Sequence, residues 1–428
     1  MADKKRIYLC LAHMSDAGLE QKYIKEAFDT NWVVPLGPNV NGFEHDLEEF
    51  VNHNLNDNLN LNLNKRVVAL SSGTAAVHLA LINCGVKAGD EVCVQSFTFC
   101  ASSHPITYLG ATPVFIDSEK DTWNMDPELL EEAIKDRIAK TGRKPKAIVP
   151  VALYGMPYNI PEIMRIAAKY DIPVIEDAAE GFGSRFNGQV LGTFGDYGIL
   201  SFNGNKMITT SGGGALICPD EKAHHDIMFY ATQAREAYPY YHHEQIGYNY
   251  RMSNICAGIG RGQMTVLEEH IAHHKHINQL YKSVLGDVDG ITVHENPSEE
   301  YDSNFWLTNI LLDPDLHVAG EEDAYKTKVV SSVGGVGNVL HTPENPHTGC
   351  EPNPNVEAMR IFLDKNDIEA RPLWKPMHLQ PVFAQCPAYG NGVSESLFKR
   401  GLCLPSGPCV SDEDVHYIAS CIKQALTF

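Results

Sequence analysis

Between residues 66 and 218 short, continuous apolar runs alternate with longer stretches of helical period, and that alternation leaves few folds open. Strand-like runs fall at 67–71, 92–96, 113–117, 147–152, 173–177, 198–202 and 213–218, with helical patterns at 74–84, 127–140 and 160–170 among them. Strands that are apolar throughout, rather than at every second residue, are covered on both faces. Separated by helices, they specify a mostly parallel sheet. The expectation is therefore an α/β domain on a seven-stranded sheet. Its last strand should run antiparallel, because the link from 202 to 213 is too short for a helical crossover. After about residue 265 the pattern changes to a long helix at 264–285, a strand at 305–312, a Gly/Pro-rich tract at 333–354 and a terminal helix at 412–426. This gives a large domain over 1–265 and a smaller C-terminal α/β domain over 266–428. Asn at 52, 54, 56, 58, 60, 62 and 64, interleaved mainly with Leu, is expected to be an exposed loop rather than an edge strand.

Charge narrows the partners. Against 34 Lys and Arg stand 54 Asp and Glu, a formal net charge of −20. Such a surface repels nucleic acid and anionic lipid, so an anionic small substrate would need a local cluster of positive charge. The cysteine count, 11, is odd, and no two are spaced as C-x-x-C, which points to reduced thiols and a cytoplasmic protein. No run approaches the ~18 apolar residues of a membrane span, and no secretory signal is visible.

In an open α/β sheet ligands bind beyond the carboxyl ends of the strands, so the residues that follow each strand are the candidates for a site. After the first comes Ser71-Ser72-Gly73-Thr74-Ala75-Ala76, a small-residue turn entering a helix, which suits a phosphate or simply a cap. After the second comes Phe97-Thr98-Phe99, either core packing or a flat face for a ring. The fifth ends in Glu176-Asp177-Ala178-Ala179-Glu180-Gly181, whose acids are caps or partners for a protonated ring nitrogen. The sixth leads into Ser201-Phe202-Asn203-Gly204-Asn205-Lys206. A lysine in a polar turn is ordinarily a surface residue. Beside a phosphate turn, a ring face and an acid on one sheet edge, it completes what pyridoxal 5′-phosphate requires.

The run Gly181…Leu191-Gly192-Thr193-Phe194-Gly195-Asp196…Ser201-Phe202-Asn203-Gly204-Asn205-Lys206…Gly212-Gly213-Gly214 resembles the DegT/DnrJ/EryC1/StrS sugar aminotransferases, as does Gly247-Tyr248-Asn249-Tyr250-Arg251-Met252-Ser253-Asn254. The similarity implies the aspartate-aminotransferase fold (fold type I), pyridoxal phosphate as cofactor and a homodimer with shared active sites. Narrower blocks are Asn31-Trp32-Val33-Val34-Pro35-Leu36-Gly37-Pro38, Tyr230-Ala231-Thr232-Gln233-Ala234-Arg235-Glu236, Arg371-Pro372-Leu373-Trp374-Lys375-Pro376-Met377-His378 and Leu404-Pro405-Ser406-Gly407. These are similar to the UDP-4-keto-6-deoxy-N-acetylglucosamine 4-aminotransferases of the UDP-N-acetylbacillosamine route, with GDP-perosamine synthases next. The sequence departs from those relatives at Cys10-Leu11-Ala12-His13-Met14-Ser15-Asp16, where they tend to have Pro before the His and Gly after the Met.

The resemblance implies roles residue by residue. Lys206 would hold the cofactor covalently and shuttle a proton, and Asp177 would pair with the pyridine nitrogen. Phe99 would stack on the ring, and Glu180 would lie near its phenolic oxygen. Gly73, Thr74 and Ser201 would bind the phosphate, joined by Asn249 from the neighbouring subunit. Asn31, Trp32, Val33, Val34, Arg371, Pro372, Leu373, Trp374 and His378 would line the sugar-nucleotide site, with His243 and Glu244 facing substrate or plain surface. Arg371 and Lys375 offer the positive charge that a diphosphate needs, although an ion pair within the smaller domain accounts for Arg371 equally well. The implied activity moves an amino group from glutamate to C4 of a UDP-linked 4-keto-6-deoxy-N-acetyl-hexosamine. A GDP-perosamine synthase-like enzyme is the alternative. A sugar dehydratase on the same fold would carry His where Lys206 stands. A nicotinamide enzyme would need G-x-G-x-x-G after the first strand. A non-catalytic pyridoxal-phosphate-binding protein would have no use for lysine and acid together.

Overall fold

A computed structural model describes residues 6–53, 64–325 and 349–426, with the backbone of 330–331 and 338–339. Seven strands build the central sheet: β1 (Arg66–Leu70), β2 (Glu91–Gln95), β3 (Thr112–Ile116), β4 (Ile148–Val149), β5 (Ile175–Asp177), β6 (Tyr197–Ser201) and β7 (Gly214–Cys218). Their order is β3-β2-β4-β5-β6-β7-β1, with β4 and β5 joined by the parallel bridges Ile148–Val174 and Val151–Asp177. All neighbours are parallel except around β7, which runs antiparallel to both β6 and β1. The short link before β7 leaves no other direction.

The apolar runs alternate between two cores. Val67 and Ala69 of β1 point into one buried cluster, and Val68 and Leu70 into another on the opposite face. Both faces are dry, so the strands carry no polar alternation. Helices α1 (Leu19–Asp29) and α2 (Pro38–Asn52) precede the sheet, and α3 (Gly73–Asn83) is buried nearly all round against the second cluster. Helix α4 (Pro127–Thr141) is marked at both ends: Asp126 starts it by accepting the N–H groups of Glu128 and Leu129, and Gly142 closes it at φ 72°. Helix α5 spans Ile160–Tyr170.

Three expectations need correcting. The helix read over 264–285 starts three residues later, as α7 (Leu267–Leu285), because Met264 ends a separate helix, α6 (Asn254–Met264), and the chain turns at Thr265, whose Oγ1 donates to the carbonyl of Gly262. The strand at 305–312 is only Thr308–Leu312, because Phe305 stands at φ 48° in a turn. The sheet also gains a short eighth strand, Ala388–Tyr389, parallel to β3. A two-residue strand has no periodicity to show in the sequence.

A second, antiparallel sheet is formed by β8 (Ile291–Val293), β9 (Thr308–Leu312), β10 (Arg371–Pro372) and β11 (Gly401–Leu404), in the order β8-β9-β11-β10. It packs with α7, α8 (Pro354–Lys365) and α9 (Asp412–Ala425) around its own apolar cluster. Ile7 joins that cluster and bridges to Ile368, so the start of the chain packs with its end. Residues 54–63 of the Asn-rich segment, and the 333–354 tract up to 348 apart from 338–339, lie outside the described residues. Asn52 clamps the near end of the Asn-rich segment through both hydrogen bonds to the backbone of Lys65. All 11 cysteines are free, with Cys409 exposed. Among the described residues no helix is long and apolar enough to cross a membrane.

Candidate active site

The carboxyl ends of β1, β5 and β6 open on one cavity of about 360 Å³, a size usual for small-ligand sites. At its base Ser72 caps α3, its Oγ accepting from Ala75 N at 3.0 Å. The first-turn amides of α3 are therefore aimed inward, where an anion is favoured. The turn fits only because β7 begins with glycine: a Cβ on Gly214 would stand 2.3 Å from Gly73 N. A Cβ on Gly73 would stand 3.3 Å from Ser201 Cβ, so Ser201 closes the third side of the turn.

Across the cavity stand an amine and two acids. Lys206 Nζ lies 3.2 Å from Glu180 Oε1 and 4.1 Å from the ring centre of Trp306. Glu180 Oε2 accepts from Tyr154 N at 2.7 Å. Burial raises the Glu180 pKa, and the Lys206 charge and the Tyr154 amide pull against it. Asp177, at the end of β5, accepts from Ser102 Oγ at 2.6 Å and from Ala179 N at 3.1 Å. Burial raises its pKa too, opposed by the Ser102 bond, the Ala179 amide and the Lys206 charge. Phe99 lies at the mouth, 5.4 Å from Trp374 between ring centres.

Of the residues assigned a role from the sequence, Gly73, Thr74, Phe99, Asp177, Glu180, Ser201, Lys206 and Trp374 all line this cavity. The others do not line it. Asn249 is exposed, its Oδ1 accepting from Gln233 Nε2 at 3.1 Å. Asn31, Trp32, Val33 and Val34 are exposed at the start of α6, where Asn254 bonds the carbonyls of Trp32 and Val34. Arg371 is paired with Glu369 at 2.7 Å, the ion-pair alternative. Pro372 is half-buried in β10. Leu373 is 1% exposed in the main core, which corrects its expected place at the sugar site; a leucine beside a packed strand is drawn inward. His378 bonds Ser96 at 2.6 Å, while Lys375 lines a neighbouring pocket with Phe99 and Trp374. His243 and Glu244 are exposed, and His243 Nδ1 lies 3.0 Å from the carbonyl of Gln233. Sequence reasoning missed Ser102, Tyr154 and Trp306. Ser102 sat unremarked three residues after Phe99, whereas nothing local marks Trp306.

The donor set suits pyridoxal phosphate: a glycine cradle that a Cβ would fill, an amine, and a carboxylate held by two donors. Fold and cavity together define a pyridoxal-phosphate enzyme of the aspartate-aminotransferase fold. The chain belongs to the DegT/DnrJ/EryC1/StrS aminotransferase family, whose model matches residues 15–331 and 345–423. It is 44% identical over 414 residues to EpsN of Bacillus subtilis (strain 168), covering 96% of this chain and 93% of that one. It is 32% identical to the GDP-perosamine synthase of Escherichia coli O157:H7, covering 97% and 98%. The crystal structure of a family aminotransferase from Brucella abortus superposes with a TM-score of 0.79 at 26% identity, covering 95% of each chain.

Proposed function

We propose that this aminotransferase transfers the amino group of glutamate to C4 of a UDP-linked 4-keto-6-deoxy-N-acetyl-hexosamine, in the cytoplasm, for surface-glycan synthesis. The observation that supports it most is the convergence of Lys206, Asp177 and the Gly73 turn on one cavity. Pyridoxal phosphate supplies an electron sink at the carbon being aminated. The α3 end with Gly73, Thr74 and Ser201 binds the phosphate. Asp177 keeps a proton on the ring nitrogen, its own charge maintained by the O–H of Ser102 and the N–H of Ala179. Lys206 Nζ carries the proton exchanged at the substrate carbon, and Glu180 steadies that amine between transfers. Phe99 covers the ring face. Residues 1–265 would form the cofactor domain and 266–428 the smaller one, and Asn249 would complete the phosphate site of a second copy. Asn31, Trp32, Val33, Val34, Arg371, Pro372, Trp374 and His378, with Lys375, would then hold the sugar nucleotide.

A second reading, a GDP-perosamine synthase-like enzyme, is favoured by the 32% identity to such a synthase along nearly the whole chain. The two separate in one assay: purified protein with glutamate and a panel of UDP- and GDP-linked 4-keto sugars. Amination of the UDP-N-acetyl sugar is the expected result. Preference for the GDP sugar transfers the assignment to the second reading, and exchange between amino and keto acids without amination of any sugar ends both.

A further inference from the structure

Phe305 sits at φ 48°, a conformation that an aromatic side chain strongly disfavours. Strain of this kind persists only where the surroundings impose it, and it gathers at working sites. Here Ser303 Oγ accepts from Phe305 N at 3.0 Å, and Asn304 Oδ1 accepts from Trp306 N at 2.8 Å. The amide of the same Asn304 donates to the carbonyls of Glu180 and Phe182, at 2.8 and 2.9 Å. One side chain thus ties Trp306 to the Glu180 backbone. The bend delivers the Trp306 indole beneath Lys206. Its face lies 4.1 Å from Nζ, inside the range of a cation–π contact, and its Nε1 donates to the carbonyl of Asn205 at 2.6 Å. The indole is 2% exposed and runs nearly parallel to Tyr154, at 20°.

We infer that Trp306 is a positioning residue for Lys206: it holds the amine between its ring and Glu180 whenever that amine is not bonded to the cofactor. The grip is double, on the peptide just before the lysine and on its charged head. An amine fixed this way stays within reach of the cofactor aldehyde instead of swinging into the half-open cavity.

The inference rests on Lys206 being the point of attachment, and its test keeps the two apart. Apoprotein is mixed with pyridoxal phosphate, samples are quenched with borohydride over time, and the label on Lys206 is counted by mass spectrometry. Affinity for pyridoxamine phosphate, which has no aldehyde to capture, is measured alongside. Trp306→Leu, and Trp306→Met should the first not fold, are expected to slow capture, in which the amine nitrogen adds to the aldehyde carbon and water leaves, by about tenfold or more, because the released side chain is seldom within reach of the aldehyde. Trp306→Phe, which keeps a ring face, should stay within about threefold of the parent, and pyridoxamine phosphate should bind all of them alike. Capture by the Leu or Met protein at the parent rate overturns the inference. So does a fall in pyridoxamine phosphate affinity in step with capture, since Trp306 would then only shape the cavity. Failure of the attachment reading has a different signature: label persisting in Lys206→Ala.

Discussion

Asp177 and Glu176 are consecutive, fully buried carboxyls on β5 with opposite surroundings. Asp177 faces the cavity and receives the O–H of Ser102, the principal influence lowering its pKa against burial. Ser102→Ala should therefore raise the Asp177 pKa further and move the acid limb of kcat/KM upward by about one pH unit, the worth of a hydrogen bond to a charged group. A limb that stays in place while kcat falls would assign Ser102 to packing instead. Glu176 faces away and accepts the amides of Phe194 and Gly195 at 3.1 and 3.3 Å. Burial nevertheless pushes its pKa up to about 7. With an acid raised on folding, the contribution to stability is complete below the unfolded carboxyl range and disappears as pH climbs through about 7. Glu176→Gln, neutral throughout, should gain on the parent by up to roughly 3 kcal/mol between pH 5 and pH 8.5 in urea unfolding. An unchanging difference would mean that Glu176 does not titrate in that window.

At the scale of elements, the phosphate turn depends on how closely β7 passes the end of α3. Gly214→Ala sets a methyl 2.3 Å from Gly73 N and 2.4 Å from the Ser72 carbonyl carbon. The backbone must move, and pyridoxal phosphate affinity is expected to fall at least about tenfold, a loss of ~1.4 kcal/mol; equilibrium dialysis of the variant at parental affinity would contradict the cradle. Helix α7 carries a different sensitivity. Burial lowers the pKa of His270, His273 and His274 alike, that of His274 to about 3. A base depressed on folding stabilises fully above the unfolded histidine range, near 6.5, and that stability is lost as pH falls towards 3. The drop in stability from pH 7 to pH 4.5 should accordingly be smaller in His274→Leu than in the parent, by about 2 kcal/mol or more. Equal drops would place the acid sensitivity elsewhere.

For the molecule as a whole, exposed Phe28, Trp32, Val33, Val34 and Leu36 lie around the start of α6, and exposed Tyr240, Tyr241 and Ile246 lie in the segment before Asn249. Apolar surface of this extent is usually covered by a partner, and the proposed homodimer would cover it. In that arrangement Asn249 serves the neighbouring subunit. Unfolding and refolding together two inactive proteins, Lys206→Ala and Asn249→Ala, should restore activity to about a quarter of the sites, because half of the dimers are mixed and each mixed dimer has one intact pair. Recovery of none would show that Asn249 works within its own chain or not at all.

Much of this was legible in the sequence. The buried runs declared the sheet, and the antiparallel turn of β7 followed from chain length alone, because a strand of given period and a link of given reach have few options. The Gly73 turn, Asp177 and Lys206 could be paired from the sequence because they follow the carboxyl ends of strands β1, β5 and β6 of one sheet, and sheet topology gathers such ends. Tertiary structure alone decided what comes from elsewhere. Trp306 reaches Lys206 through a bend whose hydrogen bonds run to Glu180 and Phe182, and Leu373 turned inward because its neighbours left it a hole rather than a surface. A periodic pattern reports each residue's own environment; contacts between distant segments depend on how whole layers stack, and no local window contains that.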